Sequence, residues 1–299
     1  MKQRAIVFDG TLNLIERPAI VLNPGFILVK PLEVYLGFIE KLLTSGSIPL
    51  STPIIPGSMG IAKVIEAYNG DSSIIGKLVV ISPFNAEKFL GLERDGLLSN
   101  YAVVPSNYIH SVVERPGPYD VITPLIHHAL EIAEKIRETP LILGCELLSL
   151  FVGLYSREKG FEPDFICEGD PRDIHRFNFK VLKSISEVPS RMNTLVITTY
   201  NPILTSNIVD KTNPEHIVIS PFSFTSLLKL PLKDRVIIER VNKFQTIHPV
   251  DVGKAVQLIR NYVRTVEVDD VEKTRGLFPP RGLGVIVKYS KLLQTLLNE

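Results

Sequence analysis

A glycine, a carboxylate and the start of a helix form the pattern with the clearest chemical meaning in this sequence. Residues 140–143 are apolar enough for a buried strand, which ends at Gly144. Residues 147–159 then have the apolar spacing of a helix, so Glu146 lies at the helix N-terminus. Backbone N–H groups at such a terminus attract phosphate and other anions. The pattern therefore predicts a turn that would attract an anion, and Glu146 already places a negative charge in that turn.

Histidines and a serine could in principle form a second reactive group. His175, His216 and His248 can be combined with Ser58 into a nucleophile and its base. However, the sequence has no G-x-S-x-G turn to present the serine. Separate surface or core positions for the histidines are the simpler interpretation.

The two cysteines and an Asp-Gly pair are interpreted as structural. Cys145 and Cys167 each lie in an apolar run without paired spacing, which predicts neither a disulfide framework nor a zinc knuckle. Asp9 lacks the partner of a D-x-D phosphatase loop, because Val7 stands two residues before it. Asp9 and Gly10 are therefore predicted to form a hairpin turn.

The composition is that of a folded protein large enough for two domains. Of 299 residues, 45% are hydrophobic and 22% charged, and the net charge of +1 favours neither a nucleic acid nor an anionic membrane as partner. No apolar run reaches the ~18 residues of a membrane-spanning helix, and the N-terminus lacks the pattern of a signal peptide. A cytoplasmic location is expected. The absence of Trp, the few Gln and the 22 Pro are compatible with a thermophilic source.

Short strands and turns dominate the first third of the chain, as in a small barrel. A helix at 36–44 interrupts them. The predicted strands are 5–8, 26–31, 61–67, 77–81 and 101–104.

Strands then alternate with helices, which predicts a parallel sheet with helices on both faces. A helix at 121–138 begins this part, and the tail returns to a helix at 249–263, a strand at 284–289 and a short closing helix. The further strands are predicted at 164–167, 194–199 and 216–220. The fold class is α/β: a β-barrel domain of residues 1–117, completed by 246–299, with a doubly wound parallel-sheet domain inserted at 118–245.

Four segments resemble, in order, the medium-chain dehydrogenase/reductase superfamily. FILVKPLEV at 26–34 is similar to the strand before the catalytic-zinc cysteine, and PGSMGIA at 56–62 to the Gly-His-Glu-x-x-Gly segment. DGLLSNYAVVP at 95–105 matches the D-G-x-x-x-x-Y-x-x-V-P run. The strand that ends at Gly144 lies where the nucleotide-binding strand belongs. The resemblance, closest to archaeal sugar and alcohol dehydrogenases, implies a GroES-like β-barrel domain and a Rossmann-type domain.

The zinc ligands that the resemblance implies are replaced. The family's Gly-x-Cys-Gly-x-Asp stretch reads YLGFIE here, with Gly37 for the thiolate ligand and Ile39 for the proton-relay Ser/Thr. Ser58 and Met59 replace the His and Glu, and Thr123 stands in the region of the third ligand. A catalytic zinc needs about three N, O or S side chains, so no zinc is expected. The four-cysteine structural-zinc lobe is absent from the sequence as well.

Catalytic candidates around the same segments are Tyr35, Glu40 and Ser58. The resemblance implies that Tyr35 lies near substrate, where it would donate a proton, although a tyrosine in the barrel core is equally ordinary. A rebuilt metal site of Glu40 with His127 and His128 is the alternative, but adjacent histidines on a helix point about 100° apart.

The nucleotide fingerprint G-x-G-x-x-G is also altered. The chain reads GCELLS, so Gly144 survives, Ser149 replaces the third glycine and Glu146 the second. Like charges ~4 Å apart repel by roughly 4 kcal/mol at an effective dielectric of 20, about a thousandfold in affinity. Glu146 is therefore predicted to block the pyrophosphate and to cap the helix itself, while Glu168 matches the ribose-binding acid. Residues 222–224, Phe-Ser-Phe, would crowd a nicotinamide ring.

Two functions are consistent with these observations. The first is a zinc-independent oxidoreductase that binds NAD(H) or NADP(H) in an altered mode and reduces a small carbonyl or activated alkene. The second is a non-catalytic descendant that acts as an assembly module or holds a small molecule in the interdomain cleft. A homodimer is predicted through an edge strand at 234–241, which is apolar and β-branched at its centre.

Overall fold

The computed structural model describes residues 2–17, 20–46, 53–68, 72–85, 88–168, 170–221, 223, 236–241 and 252–290. The chain divides into two compact units: Met1–Pro124 with Phe244–Glu299, and Leu125–Lys243. Parallel and antiparallel strands are both present, in agreement with the predicted α/β class. No helix within the described ranges is both long and apolar enough to cross a membrane.

The first unit contains a hairpin and a seven-stranded sheet. The hairpin joins β1 (Gln3–Phe8) to β2 (Leu12–Arg17) through Gly10 at φ 106°, which confirms the predicted turn. In the sheet the order is β14-β15-β3-β4-β5-β7, with β6 paired to β3. The strands are β3 (Phe26–Leu36), β4 (Met59–Ala67), β5 (Leu78–Ile81), β6 (Ala102–Pro105), β7 (Ile109–Val113), β14 (Arg264–Val268) and β15 (Val285–Tyr289).

Strand β3 positions the residues of interest in this unit. It lies between β15 and β4, so that Tyr35 faces Ile286 on one neighbour and Met59 on the other. Helix α1 (Phe38–Ser45) begins directly after β3, and Gly37 is its N-cap. The apolar side chains of these strands form one buried core, which fixes the end of β3 against both neighbours.

The second unit contains a six-stranded parallel sheet in the order β10-β9-β8-β11-β12-β13. The strands are β8 (Pro140–Leu143), β9 (Asp164–Ile166), β10 (Lys180–Leu182), β11 (Thr194–Ile197), β12 (His216–Ile219) and β13 (Ile237–Arg240). The helices are α2 (Thr123–Lys135), α3 (Leu147–Glu158), α4 (Arg172–His175) and α5 (Pro202–Thr212), with α6 (Val252–Ile259) in the first unit. The first strand of the unit, β8, is central, because the chain moves outward through β9 and β10 and returns to β11 on its other side. The residues that follow β8, β9 and β11 therefore meet at one edge of the sheet.

The sequence predicted most of these elements and missed several. Strands β2, β7, β10 and β14 and helices α4 and α5 were not predicted, and β3 extends five residues beyond its predicted end. The predicted helix 249–263 is described from residue 252, and the predicted edge strand 234–241 from residue 236. The closing helix lies outside the described residues, as do His248, Phe222 and Phe224.

Candidate functional site

The ring of Tyr35 fills the space beside Gly37 in the first unit. A Cβ on Gly37 would lie 2.3 Å from Tyr35 Cε1, and one on Gly284 would lie 2.6 Å from Tyr35 Cε2. While the Tyr35 ring is present, only glycine can therefore occupy positions 37 and 284 on either side of the ring. Tyr35 is 4% exposed, and its hydroxyl donates a hydrogen bond to the carbonyl oxygen of Leu283. The proton-donor candidate is thus a packed core residue whose hydroxyl binds a backbone carbonyl.

The carboxylate of Glu40 joins the start of α1 to the start of β4. Its Oε2 accepts the N–H of Gly37 at 2.8 Å, as a capping-box residue does, and its Oε1 accepts the N–H of Ser58 at 2.9 Å. The Ser58 side chain also hydrogen-bonds this carboxylate. Burial raises the pKa of Glu40, and these hydrogen bonds oppose that rise. Glu40 and Ser58 therefore hold each other in the core of the first unit.

Within the described part of the chain, no group of three His, Cys, Asp or Glu side chains is arranged to hold a metal ion. His128 in α2 is fully buried, and its Nε2 lies 3.1 Å from the Ser220 hydroxyl at the end of β12. Its Nδ1 lies 3.8 Å from a carboxylate oxygen of Glu131. His128 therefore contributes to the packing of the second unit, and His127 beside it is largely buried.

The turn after β8 is built closely around Gly144. This residue has φ 130°, and a Cβ here would lie 2.5 Å from Thr198 Oγ1 and 2.8 Å from Ser149 Oγ. Those two hydroxyls are 2.8 Å apart, and Thr198 Oγ1 also donates to the carbonyl oxygen of Leu143. Ser149 is fully buried, so this small residue lets α3 lie close to the sheet. The surviving glycine is therefore required by the turn itself.

A disulfide joins Cys145 to Cys167 at the same edge, so the prediction that these cysteines are unpaired was wrong. Strands β8 and β9 are parallel with Leu143 opposite Ile166, which brings the residues after them side by side. The Cα–Cα distance of 5.3 Å lies within the ordinary range for a disulfide. Cross-linking a loop of this length stabilises a fold by about 3 kcal/mol in the chain-entropy model.

Glu146 occupies the N-cap position of α3, as its place in the sequence predicts. Its side chain accepts no hydrogen bond from the first turn, so the prediction that this carboxylate caps the helix was wrong. The backbone carbonyl of Glu146 accepts the N–H of Leu150 at 3.0 Å, which begins the helix. Glu146 is half-buried, and its place directly before the first turn of α3 puts a negatively charged residue at the helix N-terminus.

Glu168, directly after Cys167, hydrogen-bonds to the segment that follows β11. Its Oε1 accepts from Asn201 Nδ2 at 2.5 Å, and its Oε2 from Thr199 Oγ1 at 3.3 Å. Asn201 also caps α5, because its Oδ1 accepts the N–H of Leu204 at 2.9 Å. The sequence interpretation missed this polar segment, although Thr-Thr-Tyr-Asn directly after a buried strand was a visible signal.

The remaining candidates divide between the two units. Ser58 belongs to the first unit, whereas His175 and His216 belong to the second. His175 is exposed at the end of α4, and His216 Nε2 lies 3.0 Å from Glu239 Oε1 between β12 and β13. Thr123 is the first residue of α2.

Known proteins share this fold. No family model matches the chain. A zinc-type alcohol dehydrogenase-like protein of Schizosaccharomyces pombe is 32% identical over 109 residues, which is 32% of this chain and 31% of that protein. Acetophenone reductase from Geotrichum candidum, solved in complex with NAD, has a TM-score of 0.67 at 14% identity and covers 97% of this chain and 98% of its own. A cobalt- and zinc-bound thermostable alcohol dehydrogenase from Pyrobaculum aerophilum has a TM-score of 0.64 at 15% identity, covering 96% and 100%.

The chain therefore has the fold of the medium-chain alcohol dehydrogenases, and its predicted resemblance to that superfamily is confirmed. By the resemblance found in the sequence, Gly37 and Ser58 stand where that superfamily has its thiolate and imidazole ligands. The match to the curated relative spans less than a third of that protein's length.

Proposed function

We propose that this chain is a medium-chain dehydrogenase-like oxidoreductase without catalytic zinc, in which dinucleotide binding is altered or lost. The Tyr35 ring packed against Gly37 carries the proposal. It fills the volume in which a thiolate would need to stand, so zinc-dependent alcohol oxidation has no place at this end of β3.

The domain assignment is part of this proposal. Residues 1–117 with 246–299 would form the GroES-like domain, and residues 118–245 the Rossmann-type domain. The strand order of the second unit supports the second assignment, because numbering its six strands from β8 gives 3-2-1-4-5-6, the order of dinucleotide-binding folds.

The side chains present do not fit a catalytic zinc ion. Gly37 offers no donor atom, and the hydroxyl of Ser58 is a poor substitute for imidazole. Both oxygens of Glu40 already accept backbone N–H groups, so metal binding would leave two buried donors without partners. A mechanism in which a bound metal ion polarises the substrate therefore does not fit these residues.

The side chains fit a dinucleotide only in part. Glu168 has the position and charge to accept hydrogen bonds from a ribose, as the acid after the second strand does in this fold. The pyrophosphate position does not fit, because Glu146 puts a carboxylate at the helix N-terminus and Cys145 is cross-linked beside it. A nicotinamide cofactor supplies a hydride when it is bound. In this chain its phosphates would need a different binding position.

A non-catalytic assembly or ligand-binding module is the second candidate. One observation favours it: the Tyr35 hydroxyl, the Glu40 carboxylate and the Ser58 side chain all bind groups of the first unit's own core. None of these groups then serves as a free proton donor for a product. If a variant that binds NADH reduces no ketone, aldehyde or alkene, that result would favour the non-catalytic module.

Titration of the purified protein with NADH and NADPH, followed by nicotinamide fluorescence, tests the proposal. We expect no saturable binding by the wild-type protein below about 1 mM of either nucleotide. Micromolar binding by the wild-type protein would overturn the altered-site proposal. The cytoplasmic location and the thermophilic source stay predictions.

The homodimer is also proposed, and β13 is its expected contact. In the described residues β13 is the last strand of its sheet, with Ile237 54% and Ile238 41% exposed. An open apolar edge favours pairing with a second copy. Light scattering should give twice the chain mass, and Ile238→Lys should give a monomer while Val112→Lys, at an equally exposed position of the first unit, should not. A monomeric wild-type protein would contradict this arrangement.

A further inference from the structure

The Cys145–Cys167 disulfide joins the two positions most important for a nucleotide at this edge. Cys145 lies between Gly144 and Glu146 in the turn after β8, and Cys167 directly precedes Glu168 after β9. The bond therefore ties the turn expected to meet a pyrophosphate to the residue before the expected ribose acid.

Both cysteines lie at the rim of the sheet rather than within it. The strand residues Leu143 and Ile166 are buried, whereas Cys145 and Cys167 are each half-buried. Exchange with an external thiol requires that the thiol reach a sulfur atom. Both cysteines are partly exposed to solvent, and a Cα–Cα distance of 5.3 Å allows the bond to form again without a backbone shift.

We propose that Cys145 and Cys167 form a reversible dithiol–disulfide exchange site whose co-substrate is a dithiol, and that its oxidised form holds the turn closed to a nucleotide phosphate. The part concerning nucleotide rests on the proposed function, whereas the exchange chemistry stands without it. The cross-link restricts the backbone of residues 144–146, so the turn cannot rearrange to admit a phosphate to the N–H groups at the start of α3.

The exchange balances as a two-electron transfer. One thiolate of the reductant attacks Cys167 Sγ, the S–S bond breaks, and Cys145 leaves as a thiolate and takes up a proton. The second thiolate of the reductant then displaces Cys167 from the mixed disulfide. The reductant ends as a disulfide and the protein as two thiols.

Thiol counting on the folded, full-length protein tests the exchange site without any nucleotide. Protein purified without reductant should give no free thiol after alkylation and mass measurement. Native-state treatment with dithiothreitol should give two thiols, and oxidised dithiothreitol should remove them, with an unchanged circular dichroism spectrum. Free thiols in the isolated protein, or reduction only after unfolding, would overturn the proposal.

NADH titration of the Glu146→Gly variant tests the effect on the turn. The reduced form should bind NADH at least about tenfold more tightly than the oxidised form. Cys145→Ser in the same background should bind like the reduced form whether or not dithiothreitol is present. Equal NADH affinity of the oxidised and reduced forms would overturn the proposal that the disulfide keeps the turn closed to a nucleotide phosphate. Absence of binding in both, while thiols still exchange, would count against the proposed nucleotide edge and leave the exchange site standing.

Discussion

Replacement of Glu146 by glycine should strengthen NADH and NADPH binding by about a hundredfold, with about a thousandfold as the upper bound. Glu146 is the N-cap residue of α3, and the N–H groups of the first turn would otherwise attract the pyrophosphate. Two unit charges ~4 Å apart repel by roughly 4 kcal/mol at an effective dielectric of 20. Because Glu146 is half-buried, water screens part of this repulsion, so the smaller value is expected.

Two further variants distinguish the effect of the Glu146 charge from the effects of side-chain size and of a charge elsewhere on α3. Glu146→Gln keeps the side-chain volume and removes the charge, so it should recover most of the affinity if repulsion is the cause. Glu158→Gln removes a charge from the exposed last residue of the same helix, about 18 Å away, beyond the Debye length at physiological ionic strength. Equal effects of Glu146→Gln and Glu158→Gln in the fluorescence titration would contradict a local role for Glu146.

Introduction of the missing thiolate by Gly37→Cys should destabilise the protein by about 3 kcal/mol. The new Cβ would lie 2.3 Å from Tyr35 Cε1, and the ring cannot retreat because Gly284 lies against its other edge. The hydroxyl bond to the Leu283 carbonyl holds the ring further. Gly276→Cys is the matched control, because a Cβ there would meet nothing within 4 Å.

Gly37→Cys should lower the free energy of unfolding much less once the Tyr35 ring is removed. Tyr35→Gly alone should cost about 4 kcal/mol through the cavity that it leaves. Adding Gly37→Cys to that variant should cost less than about 1 kcal/mol, which gives a coupling of about 2 kcal/mol between the two positions. Urea denaturation of the four proteins measures this cycle. Additive free energies would contradict the packing of Tyr35 against Gly37.

The sequence predicted features that depend on local pattern. The buried strand that ends at Gly144, the helix after it and the Asp9-Gly10 hairpin follow from apolar spacing and turn residues, and the structure has all of them. The changes at positions 37 and 58 were visible because flanking segments of the superfamily could be matched around them.

Features that depend on distant partners could not be predicted from the same patterns. Cys145 and Cys167 are 22 residues apart, and only the register of β8 with β9 makes them neighbours. The position of Tyr35 depends on Gly284, which reaches it through the pairing of β15 with β3. Strand β10 has three residues and helix α4 has four, too short for an apolar period to be detected.

The zinc content of the purified wild-type protein tests the central claim most directly. Protein incubated with excess zinc and then dialysed should contain far less than one zinc ion per chain by elemental analysis, because Tyr35, Gly37 and Glu40 leave neither donors nor space for the ion. Stoichiometric zinc that survives dialysis, and that Ser58→Ala removes while the protein stays folded, would contradict the account.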